Sequence, residues 1–371
     1  MTKLITIVTV VLIALANSVF GQTSYKNKKW TLENVELKDF DLIGKAIGNS
    51  RIVMLGEQDH GDGETFKKKT NLVKYLIENK GFNVIAFESD FFAINKISEK
   101  DLPTDEKVKL VTDQLHGIWR RSNEFLPLMD YISQSIQIGR EIILTGFDSQ
   151  HHSKYTKTNY VDYFKTILTN NEIVIDETFF EVLAMFIKDG FKYKPKETEI
   201  ELFNSTLEMI EAKLVLFTKT SEIEFWLQEL RSLKGDFKEV SQGQGKGLSI
   251  LNKRDLQMAS NLEYLARIKF GDKKIIVWAA NYHIAKNPEK VSWSKQWNPK
   301  KDSLITMGDI IEQSLGNVTY SIAFICGQGY YTNWVENDKP LPIIEPFEVV
   351  LFRRTLFLSD FQTDIIQNGG W

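Results

Sequence analysis

The sequence predicts an α/β fold: a mostly parallel central sheet flanked by helices, with a helical cap or insertion over about residues 176–270. Three observations carry this. Apolar runs of strand length alternate with helix-length periodic segments, the pattern of parallel strands joined by crossover helices. Two of the runs close on a carboxylate, at Glu57 and Glu88, and the ends of strands are where α/β sheets present their chemistry. Residues 176–270 hold no convincing strand but several long stretches with helical spacing.

In chain order, residues 1–21 read as a secretory signal peptide. Lys3 supplies the charged start, Leu4 to Ala16 is nearly unbroken apolar chain, and Val19-Phe20-Gly21 approaches Gln22. The run is short for a membrane span, so the expected location is periplasmic or secreted, with no stable membrane insertion once the signal is removed. Residues 22–371 then form one α/β domain that includes the helical insertion. After a polar lead-in to about residue 40, strands are expected at Ile52–Leu55, Val84–Glu88, Glu141–Gly146, Lys274–Ala279, Thr319–Ile325 and Glu348–Arg353. Helices are expected at Glu64–Lys80, Asp105–His116, Glu124–Gln137, Tyr160–Thr169 and Asp176–Lys188. Within the insertion they are expected at Glu199–Thr218, Ser221–Lys234 and Leu251–Phe270. Asp236–Ser249, with Gly243, Gly245 and Gly247, reads as a loop over the site. Its spacing does not match a phosphate-binding Gly-x-x-x-x-Gly-Lys-Ser/Thr loop.

Composition narrows the function. The 371 residues carry a net charge of -3 and no long basic run, which argues against a nucleic-acid partner. The single cysteine, Cys326, excludes an internal disulfide and sits in an apolar run as a buried, inert thiol.

The chemistry concentrates in RIVMLGEQDHGDGE, residues 51–64. An apolar run stops at Gly56, and Glu57 and His60 follow close enough to pair as a general base. Glu88 ends the next run, VIAFE, and adjacent parallel strands would bring both glutamates to one crevice. The alternative for each carboxylate is a structural ion pair. His283 follows the strand in VWAANYH and should face the same crevice. Arg254 and Asp255 open a helix, with Asn261 on the arginine's face. Arg254 could stabilise an oxyanion or hold a substrate carboxylate, or else bridge to Glu57 or Glu88. Arg120 and Arg121 follow Trp119, with Glu124 a turn later, and either line the mouth or begin a solvated helix. His116 is a weaker candidate, and His151 and His152 belong on the rim. Trp293 and Trp297 lie in a polar loop that either clamps an apolar substrate or anchors itself.

The order of these motifs resembles the erythromycin esterase-like family. LGEQDHG matches Leu-Gly-Glu-x-x-His-Gly, and GFNVIAFE matches Gly-Phe, five residues, Glu. Trp119 with Glu124, LTGFDSQ, RDLQMASNL, VWAANYH and the Met-Gly-Asp at residue 307 follow in the family's order, covering about Arg51 to Gly329. The resemblance implies that His60 activates water and that glutamates belong at positions 57 and 88. It aligns Asp148 with the family's Gly-Phe-Asp, and Asn281 and His283 with Trp-Ala-His-Asn-x-His. Ala280 stands where that motif has its first histidine, and Ser133 falls where relatives often carry arginine. The implied catalytic set is His60, Glu57, Glu88, His283 and Arg254. Trp119, Arg120, Arg121, Glu124, Asp148, Asn281 and Asp255 are the substrate-binding candidates.

The leading expectation is an exported hydrolase that cleaves a small-molecule ester or lactone with water activated by His60 and a glutamate, and no cofactor. No Gly-x-Ser-x-Gly occurs in the chain. Macrolide-inactivating esterases belong to this family, which makes antibiotic resistance one implied role, although Ala280 counts against a macrolide. Two alternatives stand beside it. One is a metal-dependent hydrolase using the same His/Glu cluster. The other is a non-enzymatic exported protein that binds a haem-like ligand.

Overall fold

The computed structural model describes residues 40–242, 248–290 and 304–325, and beyond them the strand segments 330–333, 339–342, 355–359 and 366–367. It opens with α1 (Asp41–Ile47), β1 (Ile52–Glu57) and α2 (Gly63–Lys80). Next come β2 (Val84–Asp90), α3 (Phe91–Ser98), α4 (Thr104–Thr112), the short α5 (Gly117–Arg120), α6 (Leu126–Gln137) and β3 (Ile143–Asp148). A helical stretch follows: α7 (Lys154–Asn170), α8 (Glu177–Asp189), α9 (Glu197–Leu214), α10 (Ser221–Ser241) and α11 (Leu248–Tyr264), which runs into a π turn at Leu265–Lys269. Then come β4 (Ile275–Ala280), α12 (Asn281–Ile284), α13 (Met307–Leu315) and β5 (Thr319–Ile325), with β6 (Tyr330–Asn333), β7 (Lys339–Pro342), β8 (Thr355–Ser359) and β9 (Ile366–Gln367) last.

The main sheet has the order β3-β2-β4-β1-β5-β8-β9, and the neighbours from β3 through β8 are parallel. Every residue of β1, β2 and β4 is buried. Helices covering both faces leave no polar side to the sheet, so these strands read as unbroken apolar runs. One cluster of buried side chains extends from Phe40 to Phe324. At its centre Trp278 meets Phe66, Phe87, Trp119 and Phe125, with ring centroids 5.2–6.4 Å apart.

The strand order corrects one expectation that matters for the site. β1 and β2 are not neighbours, because β4 lies between them and pairs Leu55 and Phe87 with the same residue, Trp278. Glu57 lies opposite Ala280. The carboxyl ends of three strands therefore meet at one edge. The β2–β3 pairing slips between Phe87 and Asp90, a stretch that holds Glu88 and Ser89. Such bulges re-aim a side chain. The slip also explains Gly146, where a Cβ would stand 2.5 Å from the carbonyl oxygens of Ser89 and Asp90.

Other boundaries differ for local reasons. Asp90 caps α3 by accepting from Ala93 N at 2.9 Å, so a helix starts directly at the strand's end where none was expected. The helix expected over Asp105–His116 stops at Thr112, and α5 begins after His116. β3 lies two residues later than expected and ends on Asp148. α10 continues to Ser241, so Asp236–Ser241 is helix rather than loop, since Phe237 and Val240 extend its buried stripe. Residues 243–247 lie outside the described residues, as do 1–39, the strand expected at 348–353, Trp293, Trp297 and Cys326. Among the described residues of 176–270 there is no strand. α11 packs on α10, α13 and β3, and Asn261 secures it by donating to Phe147 O at 3.0 Å while accepting from Gln228 and Ser232.

Candidate active site

The sheet edge gathers five charged residues from separate elements: Glu57 from β1, His60 from the turn after it, Glu88 from β2, Arg254 from α11 and His283 from α12. Glu57 is fully buried. It accepts from Trp119 Nε1 at 3.0 Å and from Lys69 Nζ, which also donates to Ala279 O at 3.2 Å and lies 4.0 Å over the Trp278 ring. Burial pulls the Lys69 pKa down, and Glu57 and Glu88 oppose that pull.

Glu88 is held from three sides. Its Oε1 accepts from Arg254 Nη2 at 2.9 Å and meets His283 Nε2 at 3.1 Å, while Oε2 accepts from Ala280 N at 3.0 Å. Burial disfavours its charge, but His283, Arg254 and His60 outweigh burial and hold the carboxyl well below the usual range. His283 stands between two acids, because Nδ1 also lies 3.0 Å from both oxygens of Asp255. Burial again opposes the charge, yet Asp255 and Glu88 push this imidazole up to about 10. His283 is therefore a doubly protonated cation at neutral pH, with both N–H groups committed. Its 3.1 Å approach to Arg254 Nη1 is a meeting of two donors around Glu88 rather than a hydrogen bond.

Arg254 donates Nε and Nη2 to the two oxygens of Asp148, at 3.1 and 2.7 Å, a bidentate clamp. Two carboxylates fix the guanidinium, and Nη1 is its one nitrogen not on a carboxylate.

His60 differs from the rest. Its side chain is 36% exposed, against 13% for Arg254 and 6% for His283. Nδ1 is buried 3.4 Å from Glu57 Oε1, with no hydrogen-bond partner among the described residues. Burial lowers the His60 pKa, but Glu57 and then Glu88 more than compensate and raise it. A carboxylate on the Nδ1 side favours the tautomer that leaves the Nε2 lone pair free, the form a general base requires.

The predicted binding residues divide. Trp119, Asp148 and Asp255 are in the cluster, but they hold other side chains rather than face a substrate. The Trp119 indole is spent on Glu57, Asp148 on Arg254 and His116, and Asp255 on His283 and Met307 N. Four of the named residues bond elsewhere. Asn281 turns away and donates to Phe324 O at 2.7 Å, packed so closely on Gly56 that a Cβ there would be 2.3 Å from its Oδ1. Arg121 is exposed and bonds Gly117 O of its own turn. Glu124 is exposed and accepts from Ser122 Oγ. His151 is buried rather than on the rim, with its two ring nitrogens 2.8 Å from Asp236 and 2.6 Å from Glu229. Arg120 is exposed beside a separate cleft. Ser133 donates to Asp105 of α4, away from the cluster. Ala280 contributes only its backbone N–H.

Lys69 was missed. The signal was its position on the buried face of α2, in register with Phe66, Leu72, Val73 and Leu76. A lysine on an apolar stripe needs a buried acid.

The family model described as erythromycin esterase matches residues 77–345. This chain belongs to the erythromycin esterase family. Glu88, Asp148, Arg254 and His283 lie inside the matched range, while Glu57 and His60 precede it. The protein YbfO of Bacillus subtilis (strain 168) is 26% identical over 341 residues, covering 84% of this chain and 73% of its own. Erythromycin esterase type I of Escherichia coli is 24% identical over 295 residues, covering 70% and 68%. The solved structure of a mutant erythromycin esterase EreC in its open conformation superposes with a TM-score of 0.59 at 20% identity, over 86% of this chain and 83% of that one. The family supports a hydrolase acting on a small molecule. Among the described residues no helix is long and apolar enough to cross a membrane, and no group of three or more His, Cys, Asp or Glu is arranged to hold a metal ion.

Proposed function

We propose that this hydrolase cleaves a carboxylic ester or lactone by direct attack of a water molecule that His60 deprotonates. One observation carries the reading. The His60 side chain is 36% exposed where those of Glu57, Glu88, Arg254 and His283 are buried or nearly so, and a buried carboxylate backs its Nδ1 at 3.4 Å.

The reaction follows from the geometry. Water gives a proton to His60 Nε2 as its oxygen bonds the carbonyl carbon. Glu57 steadies the imidazolium that forms. Negative charge on the former carbonyl oxygen is met by Arg254 Nη1, which its acids already hold in place, so little reorganisation is needed as charge develops. The intermediate then collapses, and the alkoxide takes the proton back from His60. The products are a carboxylic acid and an alcohol, with His60 neutral again. The carboxylate oxygens of Glu88 are occupied by Arg254, His283 and Ala280 N, which supports a positioning role for it.

The reading includes export, from the charged and apolar pattern of residues 1–21.

The test is hydrolysis of a panel of small esters, lactones and a macrolide by the purified protein, with and without chelator, beside His60→Ala. The expected result is turnover that survives chelation and falls by roughly 10²–10⁴-fold in His60→Ala, the range for loss of a general base. Turnover lost to chelator would move the cluster to the metal-dependent reading. Turnover retained by His60→Ala would remove the base assignment.

A further inference from the structure

Beside the catalytic cluster lies a cavity of about 440 Å3, walled by α5, the turn before it and the start of α7. Its size lies within the ordinary range for small-molecule sites, roughly 300–1,000 Å3. Polar and charged residues contribute to its lining, among them His116, Arg120, Gln150, His152, Lys154 and Lys157. His116 is the wall it shares with the active site, with Nε2 3.3 Å from Asp148 Oδ2, the carboxylate that clamps Arg254.

The charges of this cavity are unevenly spent. Its acids are committed. Asp90 accepts from Ala93 N, Ser153 N and Thr156 Oγ1 at 2.9, 3.2 and 2.7 Å, and Asp113 pairs with Lys109 at 3.0 Å. Its cations are not: Arg120, Lys154 and Lys157 have no acid partner among the described residues. The first turn of α7 is already capped, by Ser153 Oγ on Thr156 N and by Asp90 on Ser153 N, so the positive charge of the cavity is that of its side chains. His152 donates Nε2 to Gln150 Oε1 at 2.7 Å, and burial lowers its pKa.

From this we infer that the cavity is an anion subsite, and that the substrate carries a carboxylate or phosphate group which Arg120, Lys154 and Lys157 hold while its ester carbonyl reaches Arg254 and His60. The inference rests on the hydrolase reading above and narrows its substrate to anionic esters. The recognition is partly exposed to solvent, so its strength should fall with added salt.

The test has two arms. In the first, kcat/KM is measured on matched esters that differ only in a distal neutral, carboxylate or phosphate group. The wild type should prefer the anionic members, and the double substitution Lys154→Glu with Lys157→Glu should cut that preference by about tenfold or more, as expected when two attractive charges become repulsive. Lys188→Glu, on the exposed side of α8, should keep the wild-type preference. Comparison of the carboxylate and phosphate members identifies the group. In the second arm, binding of malonate and of inorganic pyrophosphate to the whole protein is measured calorimetrically, with no dependence on turnover. Saturable binding that weakens in the doubly substituted protein supports the subsite. Equal ester preference in both proteins, or binding that is absent or unchanged, overturns it. Binding that behaves as expected without turnover of any ester keeps the subsite and defeats the hydrolase reading.

Discussion

Lys69→Met is the sharpest test of how the site is held together. The lysine ammonium is fully buried and bonds Glu57, which is itself fully buried. Methionine matches the stem of lysine and can still lie over Trp278, so the substitution removes charge more than volume. Glu57 then keeps the Trp119 indole at 3.0 Å and the His60 ring at 3.4 Å, and neither replaces a full cation. Removing one partner of a buried pair costs about 3–5 kcal/mol, chiefly because the other charge is stranded. Replacing both partners by neutral groups costs less. The assay is urea unfolding of wild type, Lys69→Met, Glu57→Gln and the double variant as a thermodynamic cycle. The expected result is a loss of roughly 3–5 kcal/mol for Lys69→Met and a double variant more stable than Lys69→Met alone. A Lys69→Met loss under about 1 kcal/mol, the range of exposed pairs, or strictly additive losses, would refute the claim that Lys69 neutralises Glu57.

Three further outcomes follow from the geometry. His283, raised from 6.5 to about 10 by Asp255 and Glu88, lends stability that is complete below pH 6.5 and lost as pH climbs through about 10. Wild-type unfolding free energy should therefore fall by roughly 4 kcal/mol more than that of His283→Gln across this window, and the difference between the two proteins separates this effect from His151, whose pKa is also raised. Because Glu57 helps raise His60, the acid limb of the kcat/KM profile should move to lower pH in Glu57→Gln, and an unmoved limb would show that His60 is not the titrating base. Arg254→Lys keeps a charge but loses the fork on Asp148, so kcat should fall by about 10²–10³-fold with a smaller change in KM. A change confined to KM would make Arg254 a ground-state binder.

Strand ends were readable because buried parallel strands are unbroken apolar runs, and a carboxylate closing such a run stands out. Glu57, Glu88 and His283 were visible for that reason. Their arrangement was not, because nothing local says that β4 inserts between β1 and β2. Lys69 hid in KKKT, which looks like a solvated lysine run until the helix is turned so that Phe66 and Leu72 face inward. The partners of the named residues lie too far along the chain for any window: Trp119 reaches Glu57 across 62 residues and Arg254 reaches Asp148 across 106. α3 escaped because its cap is the last residue of a strand, with no loop between them.

The place of β4 has a consequence for how the chain comes to exist. β1 and β2 leave the ribosome early, each with a neighbour-facing edge that only β4 satisfies, and Ile52 pairs with Ile275. Arg51 likewise waits for Lys273, 222 residues further on. The centre of the sheet closes only after the intervening helices have been made. Such long-range pairing is slow and leaves strand edges open to other chains in the interval. Fragments that stop before β4 should therefore aggregate rather than fold.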